Sequence, residues 1–155
     1  MQRAVTRIMN AAATQLDLSL YAYMVRDHAS LDALYARVLE AMAANAEHLD
    51  GLWTQFDHHL RSHMESEERF VIPELAKVDR LAALLLLREH GQIREELVEL
   101  GVACSLHELR FARSRELVEQ LRSHAAREND LLYRWADKHL DVNVITSAME
   151  RATRS

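Results

Sequence analysis

Glycine, proline and cysteine are all scarce in this chain. Its 155 residues include 3 glycines, 1 proline and 1 cysteine, whereas hydrophobic residues make up 49% of the sequence. Because glycine and proline interrupt helices, so few of them together with so large an apolar fraction favour long helices over a loop-rich or disordered chain. The length is that of about one domain. We therefore expect an all-α protein in which residues 1–155 form a single domain.

Disulfide pairs, long apolar runs and basic tracts are also missing from the sequence. Cys104 is the lone cysteine, so it has no partner for an intramolecular disulfide. The longest apolar run, residues 81–87, is far short of the ~20 residues that a membrane span needs, and the N-terminus lacks the apolar stretch of a signal peptide. The formal net charge of −5 comes from acidic and basic residues mixed along the chain. These features favour a cytoplasmic protein that binds neither membranes nor nucleic acid.

Two sets of histidine and glutamate residues recur at a nearly constant separation. The first set is His28, His63 and Glu67, and the second is His90, His124 and Glu128, each 61 or 62 positions after its counterpart. Within each set the last two residues form His-x-x-x-Glu, a spacing that places both side chains on one helix face. The six residues therefore behave as one duplicated constellation.

Turn signals between these residues predict the helix boundaries. Asn45 and Asp50 mark a first turn, Pro73 and Asp79 a second, and a capping-box pattern beginning at Ser105 a third. The helices expected from these turns cover about 17–45, 50–76, 80–102 and 106–138. Short links between them predict an antiparallel up-down-up-down four-helix bundle, with a short N-terminal arm at 1–15 and a C-terminal tail at 141–155.

The six polar residues lie on the same helix faces as apolar side chains. Apolar residues continue both stripes: Phe56, Leu60 and Phe70 lie with His63, and Leu117, Leu121, Leu131 and Leu132 lie with His124. A single histidine on such a face is more often a hydrogen-bonded core residue than a metal ligand. Two glutamates buried with four histidines are different, because unpaired buried carboxylates cost several kcal/mol without a cation. Imidazole and carboxylate in that number suit a pair of iron ions.

The remaining candidates have weaker claims to a metal. We expect His59, one turn before His63, to hydrogen-bond near the site rather than to bind metal. Tyr35 is two turns from His28, too far to be a ligand, and Cys104 is expected to be a structural thiol. Four histidines lie near turns or off the stripes and are expected at the surface: His48, His58, His107 and His139.

Residues 17–138 resemble the hemerythrin-like, or HHE cation-binding, family. The motifs that carry the resemblance are Asp27-His28, His63-x-x-x-Glu67-Glu68-x-Phe70, Glu89-His90 and His124-x-x-x-Glu128. The resemblance implies an antiparallel four-helix bundle that holds two iron ions in a non-haem, oxo- or hydroxo-bridged centre. It also implies the distribution of ligands: His28 and His63 on one iron, His90 and His124 on the other, and Glu67 and Glu128 as bridges.

One position departs from the oxygen-carrying members of that family. Those proteins have a second histidine one turn after the ligand that corresponds to His90, and this chain has Arg94 there. The four-His, two-Glu set is similar to the branch that includes bacterial stress proteins and proteins linked to the repair of damaged iron centres. Each iron would then keep an exchangeable position. Arg94 is expected either to stabilise a bound anion such as peroxide or to extend into solvent.

Three classes of function stay open at this point. The resemblance implies a di-iron protein that binds O₂, NO or peroxide in a stress response or as a sensor. The second class is a di-iron enzyme or iron donor in peroxide or NO detoxification or in iron-sulfur cluster repair. The third is a bundle in which a zinc pair, or the core alone, is structural. Whether a partner protein is involved is not encoded in any motif of the chain.

Overall fold

The computed structural model describes residues 19–105 and 111–152, and every regular element in these ranges is helical. In chain order these elements are α1 (Leu20–Ala43), α2 (Leu49–Phe70), α3 (Ile72–Ala76), α4 (Arg80–Ser105), α5 (Phe111–Glu128), a π-helical turn (Asn129–Tyr133), α6 (Arg134–His139) and α7 (Val142–Ala152). The expected N-terminal arm at 1–15, the third turn and His107 lie outside the described residues. None of the described helices is long and apolar enough to cross a membrane.

Polar side chains define the helix ends that the sequence predicted. The Ser19 hydroxyl accepts a hydrogen bond from the Ala22 N–H at 2.9 Å and begins α1. Asn45 follows α1 with a φ of 49°, in the left-handed region that asparagine tolerates better than most residues. A carboxylate oxygen of Asp79 accepts from the Ala82 N–H at 3.0 Å at the start of α4. The turns near Asn45 and Asp79 therefore lie where they were expected.

The four long helices pack in a ring around two apolar clusters. α1 and α4 each contact both α2 and α5. One cluster, which includes Leu34, Phe56 and Leu97, fills one end of the ring. The other, which includes Met24 and Leu86, fills the opposite end. His28 on α1 and His90 on α4 each lie between residues of one cluster and residues of the other. The apolar packing therefore sets the level at which the polar residues meet.

The second expected helix, 50–76, is interrupted at Val71. α2 ends at Phe70, and α3 begins at Ile72 with Pro73 in its first turn. Proline has no N–H to donate to the carbonyl four residues earlier, and its ring crowds the preceding turn. A continuous helix through this position would therefore lose a backbone hydrogen bond, and the chain begins a new helix instead.

The last expected helix, 106–138, contains a π-helical turn between α5 and α6. This turn spans Asn129–Tyr133, and its backbone hydrogen bonds join residues five positions apart, one more than in an α-helix. The extra residue changes which side chains face the core. The α-helical spacing placed Leu131 and Leu132 inside. Leu132 is buried as expected, but Leu131 is 44% exposed, and Tyr133 is fully buried.

The expected C-terminal tail is instead the helix α7. It packs against α1 and α2, and its Met149 is buried in the cluster that contains Met24. Val142, Ile145 and Met149 recur at spacings of three and four residues, which places them on one face of a helix. The burial of this face stabilises α7 on the bundle.

Candidate metal centre

The six residues singled out by the duplication come together between the four long helices. α1 carries His28, α2 carries His63 and Glu67, α4 carries His90, and α5 carries His124 and Glu128. The exposed fraction is zero for His90, Glu67 and Glu128 and 5% for His63 and His124. The structure thus buries two carboxylates among four imidazoles, in the middle of the apolar core.

Glu128 is shared by two groups of possible ligand atoms. One group is His28, His63 and Glu128, the other is His90, His124 and Glu128, and in each the ligand atoms lie within 4.8 Å of one another. Oε2 of Glu128 is 3.2 Å from Nε2 of His28. Oε1 of Glu128 is 3.1 Å from Nε2 of His90. The two oxygens of one carboxylate therefore face two different pairs of histidines.

Glu67 lies beside these groups and also faces both halves of the cluster. Its Oε2 is 3.5 Å from Nε2 of His63 and 3.4 Å from Nε2 of His90. No hydrogen bond joins this buried oxygen to any other described residue. Glu67 therefore offers an oxygen to the space between the two histidine pairs, as Glu128 does.

The donor atoms fit a pair of metal ions. Nε2 of His28 lies 3.1 Å from Nε2 of His63, so two imidazole nitrogens point at the same place. Nε2 of His124 is buried and, like Oε2 of Glu67, makes no hydrogen bond within the described ranges, although it lies 2.8 Å from a Glu128 oxygen. Buried polar atoms are rarely left unpaired. Imidazole nitrogen and carboxylate oxygen are ligands that iron and zinc both accept.

Three of the four histidines are held from behind by a carboxylate. The Nδ1 atoms pair as follows: His63 with Asp27 at 2.7 Å, His90 with Glu68 at 2.8 Å, and His124 with Glu89 at 2.8 Å. A hydrogen bond at Nδ1 fixes the ring and turns Nε2 towards the cluster. Sequence reasoning assigned no role to these carboxylates, although Asp27 and Glu89 each directly precede a candidate ligand.

Cationic or hydrogen-bonding side chains hold these carboxylates in turn. His59 lies 2.8 Å from Asp27, in the hydrogen-bonding role expected of it. Arg127 lies 2.7 Å from Glu89. Arg94 donates to both oxygens of Glu68, at 2.8 and 2.9 Å. The guanidinium of Arg94 is therefore directed to Glu68 and not to open solvent, which was one of the two roles expected of it.

Charges within the cluster shift its titration in the metal-free protein. Burial alone would lower the pKa of His90, but the carboxylates of Glu128 and Glu67 raise it to about 10. Burial would likewise lower the pKa of His63, but nearby carboxylates, chiefly those of Glu67 and Asp27, raise it well above its usual value. Burial would raise the pKa of Glu128, yet four surrounding imidazoles hold it well below the usual value. Without metal, protons on the imidazoles therefore compensate the buried carboxylates.

Tyr133 is a further residue of the site, and the sequence did not predict it. It is fully buried, and its hydroxyl donates to Oε1 of Glu67. The hydroxyl oxygen of Tyr133 also lies 3.4 Å from Nε2 of His28 and 3.4 Å from Oε2 of Glu128. Burial and the two glutamates raise the pKa of Tyr133 well above its usual value, so the phenol keeps its proton. Because the π-helical turn carries Tyr133 inward, a search based on α-helical spacing misses it.

Replacing Tyr133 with phenylalanine is expected to lower the free energy of unfolding of the metal-free protein by about 1–3 kcal/mol, because it leaves a buried oxygen of Glu67 without its donor. Urea denaturation of the metal-free chain measures this difference. Tyr21→Phe, at a partly exposed position of α1, controls for loss of a phenol hydroxyl. Equal stabilities for Tyr133→Phe and the unaltered chain would contradict the prediction.

An apolar pocket opens from the centre towards the surface between α1 and α5. Its volume is about 70 Å³, and His28, His63 and His124 form part of its wall. The rest of the wall is mostly apolar, from Leu31, Tyr35, Phe56, Leu60, Val118 and Leu121. Asp32 and Arg122 also border it and form an exposed ion pair at 3.0 Å. The pocket therefore brings a mostly apolar surface up to three of the four imidazoles.

The other candidates occupy structural positions. The Tyr35 hydroxyl donates to the Ser114 carbonyl at 3.0 Å and does not reach the cluster. Cys104 is buried, and burial, followed by Asp50 at 3.4 Å, raises the pKa of its thiol to about 11. The expected surface histidines that lie in the described ranges are all exposed: His48, His58 and His139.

Comparison with known proteins gives one match. The model of the family described as hemerythrin HHE cation-binding domain matches residues 19–136, more than half of the chain. No curated protein and no solved structure matches the chain. The matched range contains all six residues of the duplicated constellation and Tyr133.

Proposed function

Because this chain belongs to the hemerythrin HHE cation-binding domain family, we propose that it is a non-haem di-iron protein that binds O₂, NO or peroxide, in a stress response or as a sensor. One observation carries the proposal. Glu128 belongs to two groups of ligand atoms at once, and Glu67 faces both of them. A single ion would not require two carboxylates that each face two pairs of histidines.

In this proposal one pair of histidines and both glutamates would hold each iron. His28 and His63 would hold the first, His90 and His124 the second, and Glu67 and Glu128 would be available to both. Iron held in this way would supply electrons and Lewis acidity to a small bound molecule. The carboxylates behind the rings keep the imidazoles oriented, which makes the site stiff and limits rearrangement.

The four-histidine form of the centre is supported by the position of Arg94. This residue lies one turn after His90, and both terminal nitrogens of its side chain bind Glu68. It therefore offers no donor to the metals, and no further histidine of the described residues belongs to the two ligand groups. Four imidazoles and two carboxylates leave room at both irons for an exchangeable ligand.

The chain's own contribution to ligand chemistry lies at Tyr133 and in the pocket wall. The phenol keeps its proton and donates a hydrogen bond to Oε1 of Glu67, so Tyr133 holds that carboxylate in place beside His28 and Glu128. The apolar wall favours uncharged molecules over anions, because an anion entering it would lose hydration without gaining a partner.

The topology of the helices, the number of domains and the location of the protein belong to the same proposal. Links as short as that between Ala43 and Leu49 support an antiparallel arrangement of α1 and α2, and by extension an up-down-up-down bundle. We further propose that residues 1–155 form one domain and that the protein acts in the cytoplasm, as the single unpaired cysteine suggests.

Anaerobic titration of the reduced, iron-loaded chain with O₂, NO and peroxide tests the proposal. The change in optical spectrum with at least one of them should saturate at a fixed ratio of ligand to protein. Repeated consumption of peroxide or NO would instead favour the alternative function, a di-iron enzyme in peroxide or NO detoxification. A protein that holds two zinc ions and shows no iron-dependent absorption would contradict the proposal and favour a structural centre.

Filling the pocket is expected to slow ligand binding without removing metal. Val118, only 8% exposed, lines the pocket, and Val118→Phe adds bulk on the path to the imidazoles. Stopped-flow mixing of the reduced protein with NO should give a several-fold smaller association rate constant. Val98→Phe, at a position on α4 that is 59% exposed, is the control. An unchanged rate for Val118→Phe at full iron content would exclude this pocket as the path.

A further inference from the structure

The duplication in this chain extends beyond the six candidate ligands to the side chains behind them. Asp27 contacts Nδ1 of His63, and Glu89, 62 positions later, contacts Nδ1 of His124. These two contacts are equivalent under the duplication. The duplication therefore relates the supporting hydrogen bonds as well as the candidate ligands.

The third supporting carboxylate has a different counterpart. Glu68 directly follows Glu67 and contacts Nδ1 of His90. The equivalent residue directly follows Glu128, and it is Asn129. Under the same relation the histidine that Asn129 would support is His28, the only one of the four that has no such carboxylate contact among the described residues.

The two polar atoms that this relation pairs are both buried and both lack a hydrogen bond. They are Nδ1 of His28 and Oδ1 of Asn129, and neither bonds to any residue that the structure describes. An imidazole Nδ1–H is a donor and an amide oxygen is an acceptor, so the two are chemically complementary. Two complementary buried atoms without partners are an unusual coincidence in a folded protein.

The residues around Asn129 already contact the ring of His28. Glu128, directly before Asn129, places Oε2 3.2 Å from Nε2 of His28. Tyr133, at the other end of the same π-helical turn, places its hydroxyl 3.4 Å from that nitrogen. Residues at or next to both ends of the turn that begins with Asn129 thus contact the ring of His28.

We propose that Asn129 is the positioning residue for His28, accepting a hydrogen bond from Nδ1–H when Nε2 binds metal. This inference rests on the proposed function. It makes the centre unequal, because three imidazoles are supported by carboxylates and one by a neutral amide. A carboxylate raises the donor strength of the imidazole more than an amide does. The metal held by His28 and His63 is therefore the more weakly bound of the two.

The full chain loaded with zinc chloride provides the test, since zinc is diamagnetic and accepts the same ligands. Competition with a chelator should remove the two zinc ions in two steps. Asn129→Leu should weaken the first-released ion about 10- to 100-fold and leave the second unchanged. Asn129→Asp, which supplies the fourth carboxylate, should make that ion tighter than in the unaltered chain. Asn143→Leu, at an exposed position of α7, is the control.

Nuclear magnetic resonance of the zinc-loaded chain with ¹⁵N-labelled histidine identifies the affected ring. Asn129→Leu should shift the Nδ1 signal of His28 and leave that of His90 in place, an effect that a general loss of stability would not produce. If Asn129→Leu and Asn129→Asp both keep the unaltered affinities and the His28 signal, Asn129 is not the positioning residue and the di-metal centre still stands. If the unaltered chain binds neither zinc nor iron, the proposed function fails and this inference fails with it.

Discussion

Replacing Glu128 with glutamine is expected to reduce bound iron from two ions per chain to less than one. Glu128 belongs to both groups of ligand atoms, so a single substitution weakens both positions. Loss of residues that only support a ligand already costs about 10- to 100-fold in metal affinity, and loss of a shared ligand should cost at least as much. Glutamine keeps the size of the side chain, which limits the disturbance of packing. Metal analysis after gel filtration gives the ratio of iron to protein.

The same measurement on two further variants makes the prediction specific. Glu67→Gln should also lower the iron content, because Glu67 faces both halves of the cluster. Glu65→Gln, at an exposed position of the same helix, should keep two ions. Two irons per chain in both Glu128→Gln and Glu67→Gln would rule out the assigned ligands.

Loading with iron is expected to raise the melting temperature of the chain. Metal that binds only the folded state at 100 to 1,000 times its dissociation constant adds about 2.7–4.1 kcal/mol per site. For a domain of this size that corresponds to a rise of about 5–15 °C per site. Scanning calorimetry of metal-free and iron-loaded protein measures the rise, with Glu128→Gln as the variant in which it should be small. Equal melting temperatures would contradict binding in the core.

The rise in melting temperature on loading with iron is expected to be larger at pH 9 than at pH 6. In the folded metal-free protein the pKa of His90 is raised to about 10, above its usual 6.5. Its contribution to stability is therefore complete below 6.5 and is lost as the pH rises towards 10. Metal replaces those protons and binds better when fewer protons compete. A gain that shrinks from pH 6 to pH 9 would contradict this explanation.

The sequence was sufficient to find the six residues of the duplicated constellation and most of the helix ends. The duplicated spacing singled out His28, His63 and Glu67 together with their three counterparts, and the structure brings all six residues together. Asn45 and Asp79 marked turns because each has a local role. Asn45 adopts a left-handed backbone conformation, and the side chain of Asp79 caps a helix. Signals of this kind depend on neighbours in the chain, so they are visible without a structure.

Residues whose role depends on distant partners were not predictable in the same way. Arg94 has no local partner, and only the packing of α4 on α2 brings it to Glu68. The hydrogen bond from His90 to Glu68 depends on the same contact between helices. Spacing along one helix says which residues share a face, but not which side chain on a neighbouring helix they meet.

Tyr133 and α7 were missed for reasons of helical period and context. The α-helical period placed Leu131 inside, and the single extra residue of the π-helical turn moved Tyr133 there instead. The segment that forms α7 is short, and much of its stability comes from packing Met149 against the bundle. Neither feature has a strong signal in the local sequence.

Anomalous diffraction from crystals of the iron-loaded chain measures whether two irons lie between the four long helices. A difference map at the iron absorption edge should contain two peaks per chain. One should lie beside Nε2 of His28 and His63 and the other beside Nε2 of His90 and His124, with Glu128 between them. A single peak, or peaks away from these nitrogens, would show that the six residues do not hold a pair of irons.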